Sequence, residues 1–381
     1  MTVSRYYRPE LDVLRFIAFL CVFFVHRMDL APFDPVKQYW LYNISLVGNF
    51  GVPVFFLLSA YLITELLIRE QEQTGSIHPK AFYLRRILRI WPLYFLVFFG
   101  WVLVTPFFFP EFKLPPIAWG AFSMFAGNIY ISFNGWLPAY PLNPLWSISV
   151  EEQFYILIPL LAAYGGKTGL KTAAYLFLAV AYAVLVCYGL HPTDGFNSAW
   201  TNSFVQFQFF SAGILLSVYF KGWTPQWPIT VRVLMIVAAL GCWLTASIVC
   251  GIHADAPHLS NVTETVIGWM LILLGAVLLF LSLLGIPGQF LPKPLIYLGR
   301  ISYGLYVFHI SFYWLVYKTF GEELSEISQS LGIGEWRNTL GFIIVFIATV
   351  LLSMLSYSFF EKPFLQLKKR FTFVPSRDRI S

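Results

Sequence analysis

The sequence is poor in charged residues. Asp, Glu, Lys and Arg make up 12% of its 381 residues, whereas hydrophobic residues make up 58% and aromatic residues 19%. A soluble domain usually carries about 25% charged residues. The composition therefore excludes an ordinary soluble domain. Because aromatic residues are common in packed membrane helices and at membrane interfaces, we predict a polytopic membrane protein.

Cysteine is also scarce. The four cysteines all fall in apolar runs and lack the spacing of a metal site or a disulfide framework; they are Cys21, Cys187, Cys242 and Cys250. We expect small buried side chains and no metal cofactor. The first apolar run is likewise not followed by a small-x-small cleavage site, so we expect the first helix to stay in the mature protein.

Eleven apolar runs are candidates for membrane spans. They cover approximately residues 11–28, 47–68, 91–109, 117–133, 145–164, 172–190, 203–220, 232–252, 264–285, 301–318 and 338–360. If 117–133 does not cross, the positive-inside rule places most of the 25 Lys and Arg in the cytoplasm, together with both termini. That run is short, contains Gly120, Gly127 and Asn128, and is flanked by prolines. We therefore predict that it is an interfacial or re-entrant segment.

The remaining runs predict an all-α polytopic bundle of about ten transmembrane helices. No extramembrane stretch is long enough for a second domain, so we expect a membrane domain over 1–366 and a basic cytoplasmic tail over 367–381. The acidic stretch 319–337 is predicted to be a short outer helix or loop. The net charge of +6 comes mostly from cytoplasmic anchoring charges, and we predict no nucleic-acid partner.

The first apolar run carries two groups that are costly in lipid, Arg15 and His26. They are eleven residues apart, so at about 100° per residue both lie on one helical stripe, roughly 16 Å apart along the axis. Arg15 can snorkel to the headgroups, and His26 can be an interfacial residue. For either residue taken alone, this structural interpretation and a functional one are equally supported. The shared stripe favours a site that faces protein or a wet cavity.

A second polar group opens the span at 145–164, where Glu151 and Glu152 follow two serines, Ser147 and Ser149. The carboxylates lie roughly 9–10 Å below the predicted outer end of the span, a depth similar to that of the histidine in the first run. A carboxylate at this depth can orient an imidazole and raise its basicity. A Glu buried for packing alone is the alternative. Adjacent residues point about 100° apart, so we expect one of the two to face the cavity.

Arginines cluster in the predicted cytoplasmic loop before the third span. Arg85 and Arg89 share a helical face, and Arg86 lies beside them. Arginine forks suit phosphates, and a phosphate-bearing cytoplasmic donor would use these residues. An amphipathic helix on the membrane surface would use the same residues.

The run 301–318 contains a histidine, His309, at mid-membrane. Alone, such a histidine is more often a hydrogen-bonded core residue than a catalyst. We keep it as a cavity-lining candidate together with Tyr303, Tyr306 and Ser302.

These residues resemble the motifs of the membrane-bound acyltransferase family 3, which includes bacterial O-antigen and peptidoglycan O-acetylases, Nod-factor acetylases and macrolide acyltransferases. The resemblance rests on five stretches, in order along the chain: 8–15 with His26, 51–56, 85–92, 145–155 with Pro159, and 302–306 with His309. Pro53 and Ala60 stand where many members have Asp and Gly, and neither departure touches the proposed chemistry.

The resemblance implies transfer of an acyl group, usually acetyl from cytoplasmic acetyl-CoA, to a sugar hydroxyl on an extracytoplasmic or lipid-linked glycan. It implies a multi-pass protein of the bacterial plasma (inner) membrane. His26 corresponds to the essential histidine and Arg15 to its companion. The other matching positions are Arg85, Arg86 and Arg89 in a basic loop motif and Trp146, Ser147, Glu151 and Glu152 in a Glu-containing motif. Because no SGNH-type esterase domain is fused, we expect an O-antigen, exopolysaccharide or Nod-factor type, rather than a two-module peptidoglycan O-acetylase.

In the expected mechanism the phosphates of acetyl-CoA bind at the arginine loop, and the acceptor hydroxyl reacts at His26. The pantetheine arm runs along the Arg15–His26 stripe, and His26 is the general base, oriented by Glu151 or Glu152. A covalent acetyl-His relay is its alternative role. The acceptor can also be a macrolide or a lipid. Membrane lipids and the acceptor are the expected partners, and the oligomeric state stays open.

A rival function from another class is a proton-coupled transporter or flippase, which would use the same intramembrane polar groups. The sequence shows no repeat between its halves and no clear pair of broken helices, which disfavours this class.

Overall fold

The computed structural model describes residues 6–26, 36–108, 113–137, 141–191, 196–254, 261–332, 334 and 337–374. Every regular element within these ranges is helical, which confirms the all-α prediction. In chain order the α-helices are α1 (Pro9–Val25), α2 (Tyr39–Leu46), α3 (Gly51–Thr74), α4 (Pro79–Phe108), α5 (Pro116–Ser123), α6 (Gly127–Asn134), α7 (Leu145–Leu190), α8 (Ser198–Thr201), α9 (Ser203–Tyr219), α10 (Ile229–Ile248), α11 (Val262–Leu283), α12 (Lys293–Arg300), α13 (Ser302–Trp314), α14 (Gly321–Ser330), α15 (Arg337–Leu355) and α16 (Lys362–Lys368).

In the part of the chain that the structure describes, six helical segments are long and apolar enough to cross a membrane. They are Tyr39–Thr74, Pro79–Phe107, Leu145–Leu190, Ile229–Ile248, Val262–Leu283 and Arg337–Phe371. α7 consists of two helices, because Gly166 has a φ of 54° and a ψ of −150°. This break separates the predicted runs 145–164 and 172–190. α1 and α9 have 17 residues each. The count of ten spans and the cytoplasmic termini remain predictions.

The run 117–133 forms two short helices, α5 and α6, of 8 residues each. Each is about 12 Å long, far less than the roughly 30 Å of a hydrocarbon core. Phe125 in the turn between them has a φ of 52°. The buried Asn128 amide donates to the Thr201 carbonyl (3.0 Å) and to Ser203 Oγ (2.8 Å), which ties α6 to the bundle. The segment therefore does not form one spanning helix, as predicted, and its depth in the membrane remains a prediction.

α1 lies at the centre of the bundle and packs against α3, α12 and α13. Leu14, Ala18 and Phe19 on this helix are fully buried. Its neighbours approach closely because they present glycines: a Cβ at Gly299 of α12 would collide with the Asp12 carbonyl, and one at Gly51 of α3 would collide with α1 backbone as well. The first turns and the middle of α1 are therefore held against fixed partners.

The last described residues of the chain lie on α4. A π-helical segment, Ser356–Glu361, follows α15 and leads into α16 and a 3₁₀ turn, Lys369–Phe371. We call residues 362–374 the C-terminal strap, and α16 packs on α4. The predicted tail 367–381 therefore begins within this ordered strap, and its residues 375–381 lie outside the described part of the chain. The acidic stretch 319–337 contains α14, as predicted, and its placement outside remains a prediction.

Candidate active site

A cavity of about 500 Å³ opens between α1, α3, α4, α7, α13 and the strap. α3 lines it from Val52 to Leu66, which corresponds to roughly 20 Å of helix. The cavity therefore has two ends. Val52, Ser147 and Tyr306 lie at one end, and Leu66 lies at the other with the arginines of α4 and the strap. A volume of this size is typical of a small-molecule site.

The end beside the strap is strongly basic. Among the described residues, seven basic ones line the cavity and two acidic ones, Asp12 and Glu151. We call the seven basic residues the basic end; they are Arg8, Arg15, Arg86, Arg89, Arg300, Lys368 and Lys369. An excess of positive charge in a concave site attracts anions, and guanidinium groups suit phosphate oxygens.

Asp12 organises one wall of the basic end. Its buried carboxylate accepts hydrogen bonds from Arg15 Nη1 (2.8 Å) and from the Tyr7 hydroxyl (3.0 Å), and Arg300 Nη2 donates to the same hydroxyl (3.1 Å). Burial, followed by the neighbouring Asp12 carboxylate, raises the pKa of Tyr7, so this phenol remains a donor. Arg15 is therefore held by an ion pair on its own helix, with its guanidinium at the cavity wall.

Glu151 lies on the wall between the two ends. Its carboxylate accepts hydrogen bonds from the hydroxyls of Ser59 and Tyr155, and the Arg86 guanidinium stands 5.3 Å from the Tyr155 ring centroid. Glu152 points elsewhere and accepts a hydrogen bond from Trp91 Nε1 (3.1 Å). Of the two adjacent carboxylates, Glu151 is thus the one that faces the cavity.

The other end of the cavity leads to a pair of histidines. Ser147 Oγ and the Tyr306 hydroxyl are 2.7 Å apart. Behind Tyr306, the buried His309 places its ring 5.2 Å from the ring of His26, between centroids. His309 Nδ1 lies 2.5 Å from the Tyr306 carbonyl oxygen, which can only accept, so Nδ1 carries the hydrogen. Nε2 then presents a lone pair, and it is buried without a hydrogen-bond partner among the described residues.

The structure brings together eight of the residues selected from the sequence. Six of the main candidates line the cavity, Arg15, Arg86, Arg89, Ser147, Glu151 and Tyr303, and so do the two further candidates Ser302 and Tyr306. Trp146 packs instead on Phe56 (6.2 Å between centroids), and Ser149 donates to the Leu145 carbonyl (3.2 Å). Glu152, His26 and His309 lie behind the residues that line the cavity.

Arg85 differs from the expectation of a donor-binding residue. Its guanidinium donates to Glu70 Oε2 (2.8 Å) and to the Phe371 carbonyl (2.7 Å), and it is 8% exposed. The side chain thus turns away from the cavity and holds the strap. Residues four apart share a helical face only approximately, and the buried Glu70 draws Arg85 to the neighbouring side.

The predicted partnership between His26 and the Glu151–Glu152 pair is not formed either. His26 contacts His309 and Tyr313, whereas Glu151 is bonded to Ser59 and Tyr155. Similar depth along two helices does not place side chains on facing sides. Tyr306 and His309 of α13 provide the connection instead, since they reach both α7 and α1.

Sequence reasoning missed several lining residues. Arg300, Lys368 and Lys369 belong to the basic residues that the positive-inside rule places in the cytoplasm, and Ser59 was not selected as a site residue. The predicted topology could have identified the three basic residues. The loop distribution that places Arg86 in the cytoplasm also places them on that side of the membrane.

Comparison with known proteins gives one family. Residues 8–358 match the model of an acyltransferase domain. The peptidoglycan O-acetyltransferase OatA of Listeria monocytogenes is 29% identical over 94% of this chain and 56% of its own length. The O-acetyltransferase OatA of Staphylococcus aureus is 26% identical over 98% of this chain and 60% of its own length.

This chain therefore spans somewhat more than half the length of these relatives. A putative O-acetyltransferase of S. aureus, SAS0844, is 33% identical over 41% of this chain and 24% of its own length. No solved structure matches. A match that runs from residue 8 to residue 358 covers nearly every helix that builds the cavity, and the chain belongs to the acyltransferase 3 family.

Proposed function

We propose that the protein is an integral membrane O-acetyltransferase that moves an acetyl group from acetyl-CoA to a hydroxyl of a cell-envelope glycan. The observation that carries this proposal is a single cavity with a basic end and, about 20 Å away, a hydroxyl pair backed by two histidines. Family membership and relatives with O-acetyltransferase names support it.

The basic end suits the phosphates of the donor. Arg86 and Arg89 of α4 line it together with Arg300 and the strap lysines. With the phosphates held there, the pantetheine arm extends past Ser59 and Glu151 toward Tyr306. The positive-inside rule favours a cytoplasmic position for this end, which is the side where acetyl-CoA is available.

The histidine pair suits general base catalysis. In the proposed mechanism the His26 ring turns so that its N–H group donates to His309 Nε2, which has no partner among the described residues, and the other nitrogen of His26 acts as the base. That nitrogen takes the proton of the acceptor hydroxyl while the hydroxyl oxygen attacks the acetyl carbonyl carbon. The carbon–sulfur bond then breaks, and protonated His26 returns the proton that it took to the departing CoA thiolate. His309 thus takes the orienting role that the sequence assigned to Glu151 or Glu152.

The acceptor that the relatives favour is a cell-wall glycan. One of them is named a peptidoglycan O-acetyltransferase. We therefore propose a hydroxyl of peptidoglycan or of its lipid-linked precursor, in place of the O-antigen type expected from the sequence.

The test uses the full chain in lipid nanodiscs with labelled acetyl-CoA and peptidoglycan fragments. Wild-type protein should transfer label to the glycan, and His26→Gln should lower kcat by at least about 100-fold, since the general base is removed. Thermal melting of both proteins controls for folding. A folded His26→Gln protein with a near wild-type rate contradicts the mechanism, and lack of transfer by wild-type protein to any glycan contradicts the acceptor.

A further inference from the structure

The C-terminal strap lies entirely beyond the family match, which ends at residue 358. Four strap residues nevertheless line the cavity: Leu365, Lys368, Lys369 and Thr372. Two of the seven charges of the basic end thus come from a segment outside the bounds of the family match. Arg370, the next residue along the strap, is exposed and is not part of the cavity lining in the described structure.

The strap is fixed to α3 and α4 by buried contacts. Arg85 bridges Glu70 of α3 and the Phe371 carbonyl of the strap, and Glu70 is 2% exposed. Glu70 Oε1 also accepts from the His78 backbone N–H (3.0 Å), and the His78 ring stacks on Phe373 at 4.5 Å between centroids. A solvated tail that served only as a membrane anchor would not require a buried ion pair, whose partners lose solvation.

The charge balance indicates what this arrangement binds. Asp12 is already paired with Arg15, and Glu151 lies deeper in the cavity with Ser59. The lysines therefore add to a surplus of positive charge at the cavity rim. Lysine ammonium groups act as point charges for phosphate and complement the planar forks of Arg86 and Arg89, which line the same cavity.

We propose that Lys368 and Lys369 form a second half of a phosphate site at the basic end, and that Arg85 is a positioning residue that holds these lysines there. The ligand class is a phosphorylated acyl carrier of the CoA type. This inference rests on the proposed function, since it assigns donor phosphates to a segment beyond the family domain. The lysines could contact anionic lipid headgroups with the same chemistry, so the experiment must separate the two sources.

The experiment measures CoA binding to the full chain in nanodiscs of phosphatidylcholine, by calorimetry, with pantetheine as the ligand that lacks phosphates. The Lys368→Gln, Lys369→Gln double variant should weaken CoA binding by about tenfold, since charge-assisted hydrogen bonds are lost. Pantetheine binding should not change. Arg370→Gln is the matched control, because it removes a neighbouring strap charge outside the cavity, and it should bind CoA as wild type does.

Several outcomes would overturn the inference. Equal CoA affinity of wild-type and double-variant protein would remove the lysines from the site while leaving acyl transfer intact. If Arg370→Gln weakened CoA binding as much as the double variant does, the effect would come from general surface charge and not from the cavity lysines. The lysines would be assigned to lipid by a different result: the protein binds phosphatidylglycerol in the nanodisc through the lysines, while CoA affinity is the same for the double variant and the wild type. If wild-type protein bound no CoA, the proposed donor itself would be wrong.

Discussion

The two ends of the cavity are built in opposite ways. The basic end collects charges from the start of α1, from α4, from the end of α12 and from the strap, so its residues span most of the chain. The other end uses neutral groups, a Ser147–Tyr306 hydroxyl pair and the aromatic surroundings of His26 and His309. Phe19 and Phe23 of α1 stand 6.0 and 6.4 Å from the His309 ring, between centroids.

This difference indicates a division of labour. An excess of positive charge binds an anion but does not determine which group gives or accepts a proton. A buried imidazole with a fixed Nδ1 hydrogen bond does control a proton, because its tautomer is set by its neighbour. Separate variants at each end should therefore change different kinetic constants, and the following predictions proceed from the largest expected effect to the smallest.

The largest effect should come from His309. His309→Asn keeps a donor near the Tyr306 carbonyl but removes the acceptor at the Nε2 position. We expect kcat to fall about 100-fold with KM for acetyl-CoA unchanged, because His26 loses the group that orients it. Steady-state kinetics in nanodiscs checks this expectation.

His309→Gln is the matched variant, since its amide can place an oxygen near the Nε2 position, and it should retain more activity than His309→Asn. A His309→Asn protein with wild-type kcat would show that this histidine is only a core residue.

An intermediate effect should come from the arginines of the basic end. Arg86→Gln and Arg89→Gln should each raise KM for acetyl-CoA by about tenfold with little change in kcat, because each removes a charge-assisted contact to the donor. Lys80→Gln is the control, since Lys80 is an exposed basic residue on the same helix outside the cavity lining described here. If kcat fell while KM stayed constant, the two ends would not be separate in function.

The smallest effect should come from Arg85. Arg85→Lys can satisfy Glu70 or the Phe371 carbonyl but cannot bridge them with a planar fork. We expect KM for acetyl-CoA to rise about threefold, together with faster proteolysis within the strap. A raised KM with unchanged protection of the strap would mean that Arg85 contacts the donor directly, as the sequence first suggested.

The local parts of the site could be predicted from the sequence. Helical spacing placed Arg15 and His26 on one helix, and it predicted that one Glu of the adjacent pair would face the cavity. The weak run 117–133 was correctly excluded as a single spanning helix, because glycine and proline interrupt it. In each case the information lies within a few turns of helix.

Contacts between distant segments could not be predicted in the same way. Arg85 was assigned to phosphate, but the carboxylate of Glu70 and the carbonyl of Phe371 both bind it. Lys368 was assigned to a solvated tail, but the strap brings it to the cavity.

The sequence by itself determined the helical membrane class, the family motifs and the residues that share each helical face, because these depend on composition and on a local period of 3.6 residues. Only the tertiary structure decided that His26 meets His309, that Glu151 faces the cavity in preference to Glu152, and that the strap supplies two lysines. These choices depend on how each helix is rotated against its neighbours, and that rotation is set by packing over the whole bundle.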